Sequence, residues 1–169
     1  MTLLDDLAHY DGTTVAILET IAERRKEDDT ALRQAVHLLS ADEPHVSAGV
    51  SWLIRRWLQD GAALSSEALE EMAAQLSHIG HHWARLHVCQ TMAHLDVPES
   101  LAPAFATFLR SAIESERPFL RAWGTDGLVR LAEQHPDLRV DARRALDAAL
   151  SDGSASVRAR ARRIVDELG

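Results

Sequence analysis

A chain of 169 residues and 18.7 kDa has room for one domain or a short array of repeats. Its 46% hydrophobic and 26% charged content excludes a disordered polymer, no run of about 18 apolar residues offers a membrane span, and the lone Cys89 excludes a disulfide framework or a CxxC site. The net charge of -8 argues against a nucleic-acid partner, since phosphate neutralisation needs a basic face.

The charge is unevenly placed. Residues 1–116 carry 8 basic and 18 acidic side chains, whereas residues 117–169 carry 10 basic and 8 acidic. All basic residues but Lys26 are arginine. Alanine fills 27 positions and leucine 23, against 16 for valine and isoleucine together. Unbranched side chains lose less rotamer freedom in a helix, so the composition predicts an all-α protein. The opening Met1-Thr2-Leu3-Leu4-Asp5-Asp6 lacks the basic and apolar regions of a secretory signal, and the expected location is the cytoplasm.

In chain order, a short helix is predicted near residues 3–9. A second follows from a cap at Thr13 or Thr14 through Lys26, with Val15, Leu18, Ile21 and Ala22 inward. A third starts at about Thr30 and buries Leu32, Ala35, Val36 and Leu39. From Val46 the pattern becomes repetitive. Positions i, i+4, i+7, i+8 and i+11 read Val46, Val50, Leu53, Ile54 and Trp57. The same template reads Ala84, Val88, Thr91, Met92 and Leu95; then Leu120, Gly124, Gly127, Leu128 and Leu131; then Val157, Ala161, Ile164, Val165 and Leu168. The starts lie 38, 36 and 37 residues apart. Each set falls on one stripe of a 3.6-residue helix.

Second helices alternate with these. Leu69, Met72, Ala73, Leu76 and Ile79 form one stripe, opened by Ser65 and Ser66 as caps with Glu67 in the first turn. Leu101, Phe105, Phe108, Leu109, Ala112 and Ile113 form the next, with Asp96-Val97-Pro98-Glu99 expected to cap it. Ala142, Ala145, Leu146, Ala149 and Leu150 form the third. Turn residues separate the helices at Asp60-Gly61, His135-Pro136-Asp137 and Ser151-Asp152-Gly153. The unit is helix–turn–helix, and such units bury their apolar faces by stacking. The predicted organisation is one domain over 1–169: a degenerate repeat or cap at 1–43, repeats at 44–80, 81–116 and 117–153, and a capping helix at 154–169. On that last helix Arg158, Arg160, Arg162 and Arg163 lie off the apolar stripe, as a terminal polar face requires.

Asp152-Gly153-Ser154-Ala155-Ser156-Val157-Arg158-Ala159-Arg160-Ala161 resembles the turn, Val-Arg opening and small inward residue of the HEAT-repeat family of α-solenoids. Leu120-Arg121-Ala122 and Ala84-Arg85-Leu86 repeat the apolar-arginine pair, while the repeat from Val46 has Ser47 there. The resemblance covers about residues 44–169. It implies a right-handed superhelix whose second helices line a concave surface that commonly binds proteins. Fold alone does not assign function.

The expected function is a non-catalytic protein-binding scaffold, with another protein as partner and no cofactor. Candidate contact residues are polar positions off the second-helix stripes: Glu67, Glu70 and Glu71, then Arg110, then Arg143 and Arg144. Two alternatives stand beside it: a homo-oligomeric structural element, and an enzyme. Some bacterial alkylpurine DNA glycosylases are built from HEAT-like repeats, and Trp123-Gly124-Thr125-Asp126 is the arrangement here nearest to their tryptophan and aspartate. Against an enzyme stand the negative charge and the expected packing of Trp57 and Trp52 in the core. Arg85, Arg121 and Arg158 are expected to pair with turn carboxylates rather than to form an anion ladder. Of the clustered histidines only His78 and His82 have the i, i+4 spacing of a helical metal pair, and Gly80 is expected to break the helix between them; no metal site is assigned. Gly124 and Gly127 are expected to permit close helix approach, and Cys89 to be a buried small hydrophobe.

Overall fold

The computed structural model describes residues 1–168, which contain helices, turns and no strand. The chain divides into two compact units, Met1–Leu95 and the remainder from Asp96. The first holds α1 (Leu3–Leu7), α2 (Val15–Arg24), α3 (Ala31–His37), α4 (Pro44–Gln59), α5 (Ser66–Gln75) and α6 (His82–Thr91). The second holds α7 (Ala102–Ile113), α8 (Pro118–Gln134), α9 (Arg139–Leu150) and α10 (Ala155–Leu168). No helix among the described residues is long and apolar enough to cross a membrane.

The repeated stripes form the core. All five template positions on the helices starting near Val46, Ala84 and Leu120 are buried, as are Leu69, Met72, Ala73, Leu76 and Ile79. Pro44 and Pro118 occupy the first turns of α4 and α8, where the missing N–H is an orphan anyway. Ser65 accepts from the Ala68 N–H and opens α5. In the first unit α4 packs on α2, α3 and α6, and α3 on α5; in the second α8 packs on α7, α9 and α10.

Long-range hydrogen bonds follow the same period. Trp57 Nε1 donates to the Ala22 carbonyl 35 residues away, and Gln75 ties to Ser40 at the same separation. Ser51 meets His87 36 residues on, and Arg55 meets Gln90 at 35. In the second unit the Val97 N–H donates to Gln134 across 37 residues. Each of these contacts joins side chains or main chain 35 to 37 residues apart.

Several details depart from expectation. Thr14 precedes α2, but its side chain makes no cap bond; the Asp11 carboxylate accepts from the Thr13 and Thr14 N–H groups instead, and α2 stops at Arg24, short of Lys26. Asp96 does not cap α7. That helix starts at Ala102 after a turn closed on the Pro98 carbonyl, while Gln134 and His135 bind the main chain of Val97. On α10 only Val157, Ala161 and Ile164 are buried. Val165 and Leu168 are 43% and 44% exposed, because no described helix covers the far side of the stripe.

Candidate functional site

The candidate contact residues divide between the two units. Glu67, Glu70 and Glu71 lie on α5 in the first. Glu67 and Glu70 are exposed and form no ion pair among the described residues, whereas Glu71 accepts from the His37 ring at 2.8 Å. Bonds from its own backbone N–H and from Ser65 hold the Glu67 carboxyl below its ordinary pKa, so it is charged at neutral pH. Beside Glu71 a shallow groove of about 460 Å³ runs between α1 and α3, with Leu4, Leu38 and Arg33 in its walls.

In the second unit Arg110 of α7 is paired with Asp141 at 2.6 Å, and Arg143 of α9 with Asp147 of its own helix at 3.0 Å. Arg144 is exposed. Two of the three arginines therefore already have intramolecular partners, Arg143 within its own helix at i, i+4 and Arg110 on a neighbouring helix.

The arginine ladder is structural where its partners are seen. Arg121 grips Asp152 with Nε and Nη2 at 2.8 and 2.9 Å, and Arg158 donates to the Asp152 carbonyl at 2.6 Å. The Arg121 bond and the Ser154 N–H hold the Asp152 carboxyl down at about 2. The two arginines pin the Ser151–Gly153 turn from both sides.

Trp123-Gly124-Thr125-Asp126 has been absorbed into an ion cluster. Asp126 is buried, with Arg160 at 2.8 Å and Arg130 at 3.4 Å; Arg130 also pairs with Glu167. The Arg160 guanidinium lies 3.6 Å from the centre of the Trp123 ring, covering its face. Gly124 permits the approach of α7: an added Cβ would meet Ala112 Cβ at 2.9 Å and the Leu109 carbonyl at 3.1 Å. Cys89 is buried. His78 ends a 3-10 turn, Gly80 is non-helical and α6 begins at His82, so the histidines at i, i+4 do not share a helix.

The first unit contains a second constellation that motif reading missed. Ser51, Trp52 and Arg55 project from one face of α4; Trp83, Leu86, His87 and Gln90 stand at i, i+3, i+4 and i+7 on α6. All of these but the buried Ser51 border, with Tyr10, a cleft of about 450 Å³. Trp52 and Tyr10 are each 8% exposed, while Trp83 is 44% exposed at the rim. Arg55 lies 5.7 Å from the Trp52 ring centre and donates to Gln90 at 2.7 Å. Its Nε is buried with no hydrogen-bond partner, and burial, with the neighbouring charge of Arg56, pushes its pKa down. His87 is half-buried, 2.9 Å from Ser51, and desolvation first, then the charge of Arg55, lowers its pKa to about 3. Ser51 Oγ lies 2.9 Å from both the Ala48 carbonyl and His87 Nδ1, tying the ring to α4. A signal did exist in the sequence: Arg55 has no acid three or four residues away on either side.

Comparison with protein-family models, with curated proteins and with solved structures finds no match to this chain.

Proposed function

We propose that the chain is a HEAT-like stack of helix pairs that works by binding another protein, with a basic partner segment received on the α3–α5 surface of the first unit. The observation that carries this is the pair Glu67 and Glu70, exposed and outside any ion pair among the described residues though the charge of Arg33 reaches Glu67, on the helix whose Glu71 lines a groove with Leu4 and Leu38. Carboxylates next to a shallow apolar trough suit a basic amphipathic segment, whose cations meet the acids while its apolar side covers the leucines. The stacked organisation is supported by buried stripes at near-constant spacing and by hydrogen bonds recurring every 35 to 37 residues.

Enzymatic chemistry of the glycosylase type draws no support from Asp126, because this carboxylate is buried and already paired with Arg160 and Arg130 rather than open to a substrate. The protein-binding reading is tested by capture with the whole chain, wild type against the doubly charge-reversed E67K/E70K, followed by titration of each recovered partner's basic segment. Loss of capture and a weaker titration in a variant with an unchanged circular dichroism spectrum supports the reading. Undiminished capture by the variant removes this surface from consideration.

A further inference from the structure

The cleft between α4 and α6 is independent of the acidic surface and differs from it in chemistry. We infer that it is a binding site for a small, flat organic monoanion, a carboxylate carried on an aromatic or similarly apolar body, with Arg55 as the residue that meets the charge.

Three features point to this ligand. The first is an uncompensated cation. Arg55 makes no ion pair among the described residues; it meets the neutral Gln90 and the Trp52 ring, and its Nε is buried without an acceptor. Elsewhere in this protein, half-buried arginines such as Arg25, Arg121, Arg130 and Arg160 are given carboxylates. Withdrawing a guanidinium from water without an acid is unfavourable, and a bound anion reverses that cost.

The second is the walls. Trp52 and Tyr10 line the inside and Trp83 the rim, presenting ring surface at the scale of one aromatic nucleus. Trp83 is the one exposed tryptophan, and a large apolar ring held at the mouth of a cleft suits a ligand that stacks against it.

The third is the charge count, which selects a monoanion. His87 beside Arg55 is neutral near pH 7, since its pKa lies at about 3, so Arg55 supplies the only full positive charge among the residues bordering the cleft. Of the charged neighbours, Arg56 is turned to Asp60 at 2.8 Å, and Asp11, close to Tyr10, is spent on the Thr13 and Thr14 N–H groups. A carboxylate balances one arginine. A phosphate monoester would leave about one further negative charge unpaired in a half-enclosed site.

The test follows the tryptophan indole N–H signals of Trp52 and Trp83 by NMR while the whole chain is titrated with indole-3-carboxylate, and separately with its neutral isostere indole-3-carboxamide. The expected result is saturable shifts at both tryptophans for the carboxylate, with the amide about tenfold or more weaker, as a charge-assisted hydrogen bond requires. Arg55→Gln should weaken the carboxylate by a similar factor and leave the amide unchanged, and Trp83→Ala should weaken both. The comparison of the two probes on the unaltered protein stands even if Arg55→Gln does not fold. Equal binding of the two probes, or no saturable shift up to the solubility of the carboxylate, overturns the inference. So does tighter binding of phenyl phosphate, or of a short single-stranded oligonucleotide.

Discussion

Replacing Gly124 with alanine sets two effects against each other, and the structure predicts which wins. Gly124 lies within α8, where alanine is favoured over glycine by about 1 kcal/mol on helix propensity alone. Against this, the new Cβ would stand 2.9 Å from Ala112 Cβ, 3.0 Å from the Ile113 nitrogen and 3.1 Å from the Leu109 oxygen. Two of these atoms are backbone of α7 and the third is a methyl that cannot rotate away, so relief requires α7 to move off α8. Overpacking of this kind costs about 1–3 kcal/mol, and rigid neighbours place it in the upper part of that range. The net expectation is a loss of about 1–2 kcal/mol, or roughly 2–8 °C in melting temperature for a chain of this size. Differential scanning calorimetry of Gly124→Ala beside Gly80→Ala measures it. Gly80 lies in a loop with no atom near its would-be Cβ, so there alanine should leave the transition unchanged or raise it slightly. If Gly124→Ala raised the melting temperature as Gly80→Ala does, the close approach of α7 and α8 would not be what this glycine provides.

Two pH-dependent predictions concern groups of opposite sign. His87 has its pKa lowered from 6.5 to about 3 by burial, so the unfolded chain binds its proton first as pH falls; the stability contributed by the neutral ring is complete above 6.5 and is lost progressively below it. His87→Gln should remove up to one proton's worth of slope between about pH 6 and 4, roughly 1.4 kcal/mol per pH unit, seen as a flatter plot of urea midpoint against pH; an unchanged slope would mean the ring is not held neutral. Asp152 is held down from 3.8 to about 2, chiefly by Arg121, so its contribution is present above 3.8 and disappears as pH falls through about 2. Asp152→Asn should therefore lower the urea midpoint at pH 7, and the gap to wild type should narrow toward pH 2. A gap independent of pH would assign the loss to the turn's geometry rather than to the charge.

The composition and the spacing of apolar residues were enough to announce an all-helical chain and most of its inward faces, although Val15 of α2, expected inward, is 46% exposed. A stripe at i, i+4, i+7, i+8 and i+11 can be buried on only one side of a 3.6-residue helix, so the spacing of Val46 to Trp57, Ala84 to Leu95 and Leu120 to Leu131 already marks these core positions. Glu67 and Glu70 were equally legible as solvent-facing positions on α5. Helix ends were less so, because capping depends on which neighbour reaches a backbone group: Asp11 serves the start of α2 where Thr14 was expected, and Gln134 binds Val97 from 37 residues away. What only the tertiary structure decided is which polar groups meet. Arg160 finds Asp126 and covers Trp123, and Arg110 finds Asp141, because separate helices bring them within reach. Arg55 stands in a tryptophan-lined cleft without an acid only because α6, packed on α4, presents Gln90, His87 and Trp83 there and no carboxylate. Periodicity determines the face on which a side chain lies, whereas its partner depends on the register between helices, and that register is set by packing.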